Sequence, residues 1–190
     1  MPSRSALGVP LLLSFALTAG CVGGRVECGS GASCAADASA PVCTTTGECE
    51  ESVVIGTPTH VTTPIDYADV PPAGGPHNPC WTTYGVHSTE VVDENWVHNL
   101  EHGAVVFLYS CPSGCASEVA ALAALVPGRP FAVVTSYSTM PPGFAVVSWG
   151  HRLVTPTLDV AAFTAFYMEH VDHGGESTSA NPPASCNPAP

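Results

Sequence analysis

Residues 104–126 read AVVFLYS-CPSGC-ASEVAALAALV, and the change of period inside this stretch decides the fold. Ala104 to Ser110 is an unbroken run of β-branched, aliphatic and aromatic side chains of strand length, the pattern of a strand buried on both faces. After the glycine and proline of the next five residues, Val119, Leu122, Ala123 and Val126 recur at helical spacing. This predicts a helix from near Ser113 to the Pro127-Gly128 stop. Downstream, Phe131–Ser136 and Phe144–Trp149 read as further buried strands, and Arg152–Val154 as a short hairpin partner after the Gly150-His151 turn. A closing helix is expected from about Leu158 to His170, capped by Thr157, with Leu158, Ala162, Ala165 and Phe166 on its inner face. Strand, helix, three strands and helix imply an α/β domain, a central sheet with helices packed on it.

Outward from this core the chain changes character. Met1–Gly20 carries one early positive charge, Arg4, and then an apolar run too short to span a bilayer, as a secretory leader does. Leu17-Thr18-Ala19-Gly20-Cys21 resembles a bacterial lipobox, which implies cleavage before Cys21 and lipidation of that cysteine; a plain signal cleaved near Ala19 is the alternative. Residues 21–57 follow as a Cys-rich segment and linker, in which Cys28, Cys34, Cys43 and Cys49 lie among small residues that cannot build a core. Disulfides are the expected structure there, with zinc as the rival and the pairing open. The globular domain is placed at 58–174 and a Ser-, Pro- and Asn-rich flexible tail at 175–190, where Cys186 can pin the chain.

Composition excludes several functions. The 190 residues contain 16 acidic side chains, four arginines and no lysine, for a formal charge of -12. Such a chain cannot release counterions from phosphates, so nucleic acid is not a partner, and it has no lysine for Schiff-base or P-loop chemistry. Its expected address is extracytoplasmic, with the membrane met through the lipid anchor; no protein partner is legible.

Chemistry concentrates in three places. In Val97-His98-Asn99-Leu100-Glu101-His102-Gly103, a helix from Glu94 to His102, capped by Asp93 and stopped by Gly103, sets His98 and His102 one turn apart with Glu101 beside both. Two neutral imidazoles on one face can hold a metal, and the carboxylate can ligate, orient a ring or act as base; the plainer alternative is that they only order a helix-to-strand corner. Pro71-Pro72-Ala73-Gly74-Gly75-Pro76-His77 is a stiff loop able to bring His77 as a further ligand, or simply a surface turn. Imidazole and carboxylate suit copper or zinc. The third place is Cys111 and Cys115 at a strand-to-helix junction, a redox pair or a structural disulfide, within itself or to Cys80 and Cys186.

Together, Pro71–His77, Gly85-Val86, Val97–Gly103 and Ser148-Trp149-Gly150 resemble a bacterial family, the domain of unknown function 3105, over about His60 to His170. That resemblance implies an extracytoplasmic protein and a candidate site at these residues but supplies no activity. Cys111 delivered by a strand to a helix start, with Met140-Pro141-Pro142 before a terminal hairpin, is similar to thioredoxin-like folds lacking their second helix. The string around Cys111-Pro112 also resembles the Cys-Pro-x-x-Cys of Sco-type copper chaperones, which would enlist a distant histidine such as His151, His170 or His173. Finally, His98-x-x-Glu101-His102 resembles the signature of inverted zinc metallopeptidases, with Glu169 or Glu176 as the downstream ligand. A non-catalytic metal-binding domain is the leading expectation. An envelope binding module, a metallopeptidase and a thiol redox protein are its rivals.

Overall fold

A computed structural model describes residues 40–176. The expected leader at 1–20, Cys21, Cys28, Cys34, Cys186 and the residues beyond 176 lie outside the described residues. The elements run β1 (Glu51–Ser52), β2 (Gly85–Val86), α1 (Asp93–Glu101), β3 (Val105–Ser110), α2 (Ala116–Ala123), β4 (Ala132–Ser136), β5 (Gly143–Ser148), β6 (His151–Thr155) and α3 (Val160–His170). No helix among the described residues is long and apolar enough to cross a membrane.

The strands form a six-stranded sheet in the order β1-β6-β5-β3-β4-β2. The central strand β3 is parallel to β4, with α2 between them in sequence, and antiparallel to β5, which pairs antiparallel with β6. A β–α–β half is joined to a β–β–α half through residues 137–142, which form no helix. The protein is thus α/β, as its periodicity indicates.

Because successive strand residues point to opposite faces, the run 105–108 divides between two cores. Val105 and Phe107 pack with Leu122, Phe163, Phe166 and Tyr167 beneath α2 and α3. Val106 and Leu108 pack with Trp96, Val97 and Leu100 of α1 on the other face. Burying each such side chain contributes about 1.5–3 kcal/mol, enough for the sheet to hold helices of low intrinsic length.

Several boundaries differ from the sequence expectation. Helix α2 is confined to Ala116–Ala123, because Cys111–Cys115 is a turn rather than a first helical turn. Asp159, not Thr157, caps α3, its Oδ1 accepting the Ala162 amide at 3.0 Å. Ala165 is exposed, and the inner face of α3 is Ala162, Phe163, Phe166, Tyr167 and His170. At α1, Asp93 is the first helical residue and the cap position falls on Val92, without a side-chain cap. The stretch expected as linker places Glu51–Ser52 at the sheet edge, paired with β6.

Candidate metal centre

Helix α1 carries most of the site. Glu101 and His102 stand three and four residues, about one turn, beyond His98, and Gly103, at φ 79°, ends the helix where most side chains would be strained. A loop is fastened along this helix. Asn99 donates to the Thr82 carbonyl and accepts the Thr82 amide, both at 2.9 Å; Asn95 donates to the Cys80 carbonyl at 2.7 Å; and the Asn78 amide reaches the Glu94 carbonyl at 3.0 Å. The proline-rich loop is held in turn by Tyr67, whose hydroxyl donates to the Pro76 carbonyl at 2.7 Å. His77 therefore projects onto α1 from a fixed backbone and is fully buried. An isolated parallel bridge pairs His60 with His77, through the Val61 amide to the His77 carbonyl at 2.8 Å and the His77 amide to the Thr59 carbonyl at 3.0 Å.

One donor atom from each of His60, His77, His98 and Glu101 lies within 4.8 Å of all the others. Sequence reasoning missed His60, which has no motif around it and is set beside His77 only by the bridge. His77 Nε2 is 3.1 Å from Glu101 Oε2, with side-chain exposures of 0% and 7%. His98 Nε2 is 3.1 Å from His102 Nε2. His102 is brought against His98 but falls into a different convergent group, with Glu101 and Glu176, and its Nε2 is 3.8 Å from Glu176 Oε2. Trp81 lies edge-on to both rings, at 4.7 Å from His98 and 4.3 Å from His102.

Proton positions follow from the acceptors. A carbonyl oxygen can only accept, so the 2.8 Å contact of His77 Nδ1 with the Gly75 carbonyl and the 2.7 Å contact of His98 Nδ1 with the Asn78 carbonyl place a proton on each Nδ1. In the neutral rings Nε2 is then a bare lone pair. That of His77 is buried and lacks a hydrogen-bond partner, though a carboxylate oxygen stands 3.1 Å away. Two facing lone pairs repel unless a cation or a proton lies between them. Burial, reinforced by His77, His102 and His60 nearby, pushes the His98 pKa down to about 4, against the backbone hydrogen bond to Asn78 that favours the charged ring. His98 is accordingly neutral at physiological pH, as a ligand must be.

The donor set fits a borderline divalent ion. Imidazoles with Nδ1 donated to backbone oxygen are oriented as metal-bound histidines usually are, and nitrogens about 2.0–2.1 Å from a tetrahedral zinc stand roughly 3.4 Å apart. The segment after α3 closes over the helix end. Glu176 donates its amide to the Glu101 carbonyl at 2.8 Å, and a Cβ on Gly174 would stand 2.1 Å from that carbonyl oxygen, so only glycine fits.

The described cysteines form no part of this centre. Cys111–Cys115 is a disulfide, Cys43–Cys49 is another, and Cys80 is also disulfide-bonded. Among the described residues, no convergent group able to hold an ion includes a cysteine, and the Sco-type resemblance is not confirmed.

The family model described as "Protein of unknown function (DUF3105)" matches residues 60–186. The chain belongs to this family, and the whole His60, His77, His98 and Glu101 group lies within the matched residues. No curated protein and no solved structure matches the chain.

Proposed function

We propose that this chain is an extracytoplasmic protein, held at the bacterial cell envelope by lipid on Cys21, whose domain binds a copper or zinc ion through His77, His98, Glu101 and His60, with His102 beside them. The observation that carries the reading is the pair of buried Nε2 lone pairs whose Nδ1 protons are both committed to backbone carbonyls while a carboxylate faces one of them. An ion between His77 Nε2 and Glu101 removes that repulsion and would take the His98 Nε2 lone pair that otherwise meets His102 Nε2. The address rests on the leader-like first 20 residues, the small residues before Cys21 and the oxidised cysteines, which suit an oxidising compartment.

Glu101 Oε2 faces the bare His77 Nε2 at 3.1 Å across a gap that an ion would fill, which favours a ligand over a general base. The metal reading is tested by loading purified protein with zinc or copper and measuring bound metal. His77→Ala with His98→Ala should weaken binding at this centre by more than about 100-fold, beyond the loss expected for an outer hydrogen bond. Unchanged affinity in a folded double variant would refute the assignment. The anchor is tested by Cys21→Ser, which should release the protein from the membrane fraction.

A further inference from the structure

A second cluster of imidazoles lies outside that centre. His151 opens β6 just after the Gly150 turn, His170 ends α3 on its buried face, and Glu50 arrives from the hairpin closed by the Cys43–Cys49 disulfide. One donor atom from each lies within 4.8 Å of the other two. Glu50 Oε1 is 3.0 Å from His170 Nε2 and 3.2 Å from His151 Nδ1, and Glu50 Oε2 is held by the Val42 amide at 3.1 Å. The two rings stack at 4.4 Å with 27° between their planes, and each holds a nitrogen within 3.2 Å of the same oxygen.

Hydrogen bonding does not account for all of this. His151 Nδ1 is buried and makes no hydrogen bond, although it stands 3.2 Å from Glu50 Oε1. Glu50 and His170 are each about nine-tenths buried at their side chains, with exposures of 10% and 10%. The neighbouring cation, Arg152, is engaged elsewhere, at 2.6 Å from Glu51 Oε1 and 3.3 Å from Asp69 Oδ1. A buried nitrogen without a partner, a second imidazole and an anchored carboxylate, supplied by three separate segments, constitute a set of donors on one side of an ion.

We propose that Glu50, His151 and His170 form a second transition-metal site for a divalent ion of the zinc or copper type. It is independent of the centre on α1, and its ion ties the N-terminal hairpin to β6 and the end of α3. Glu50 lies before the residues matched by the family model, so this site uses a segment outside the shared domain.

The test is zinc stoichiometry of the full chain, stripped with chelator and dialysed against Zn²⁺, with bound metal measured by elemental analysis. Wild type should hold two equivalents. His151→Ala with His170→Ala should hold one, and His77→Ala with His98→Ala should also hold one, by loss of the other ion. If the His151/His170 variant keeps the wild-type stoichiometry, or wild-type zinc is already abolished by the His77/His98 pair alone, the second site does not exist. Glu50→Gln, nearly isosteric, guards against misfolding: with an unchanged near-ultraviolet spectrum it should weaken the same equivalent by at least tenfold, and undiminished binding overturns the proposal. Cu²⁺ loaded into the His77/His98 variant should give an electron paramagnetic resonance signal with nitrogen hyperfine coupling, lost on His151→Ala with His170→Ala; its persistence counts equally against the site.

Discussion

The two imidazole clusters are built from the same side chains but differ in how their protons are spoken for. In the centre at α1, His77 from the loop and His98 from the helix both give Nδ1 protons to backbone carbonyls, leaving Nε2 atoms that can only accept in the neutral rings. At the β6–α3 cluster, His170 Nε2 lies within hydrogen-bond distance of Glu50, so that carboxylate is already served by a donor without any ion. The first arrangement is pre-set for a cation by its backbone. The second holds together by itself and must exchange a proton for a metal, which makes its binding weaker and more dependent on pH.

The sharpest way to break this contrast is to neutralise each carboxylate. Glu101→Gln should cost metal affinity at its centre about 100-fold, since it removes a charge facing a bare nitrogen, whereas Glu50→Gln should cost its own site nearer tenfold. Calorimetric titration of the two variants checks the order, and equal losses would erase the distinction.

A smaller effect is expected at His102. Its Nε2 meets His98 Nε2, but it lies outside the four-donor group, so His102→Ala should lower affinity by about tenfold, as an orienting neighbour does. A loss as large as that of His98→Ala would make it a ligand in its own right.

The smallest effect is the acid dependence of stability in metal-free protein. The His98 pKa is pushed down to about 4 from an ordinary 6.5, and burial also lowers that of His170, against the pull of Glu50. In each case the unfolded chain takes up a proton that the folded chain refuses. Stability should therefore be intact above about pH 6.5 and fall as pH drops toward 4. His98→Gln should flatten that fall more than His170→Gln, because Glu50 compensates only the latter; urea denaturation at pH 7, 5.5 and 4.5 reads the difference.

Legibility followed distance along the chain. His98, Glu101 and His102 could be grouped from their spacing because a helix fixes neighbours three and four residues apart. The proline-rich loop advertised His77 because proline and glycine restrict the backbone locally. His60 could not be found, since its meeting with His77 depends on a two-strand bridge between extended segments with no pattern of their own. Glu50, His151 and His170 were further out of reach: the Glu50–His170 pair joins residues 120 positions apart. The cap of α3 was misplaced by two residues because Thr157 and Asp159 are both good cap formers, and only the final turn of the backbone selects between them.

By itself, the order of residues determined an α/β sheet with two faces, a one-turn pair of histidines beside a glutamate, and a strongly acidic chain without lysine, because periodicity is a property of neighbours and charge of composition. Tertiary structure decided which imidazoles converge, which nitrogen of each keeps its proton, and that His60 and Glu50 belong to clusters at all. Those outcomes rest on backbone carbonyls and strand edges brought close by packing, and no local pattern encodes where a distant carbonyl will stand.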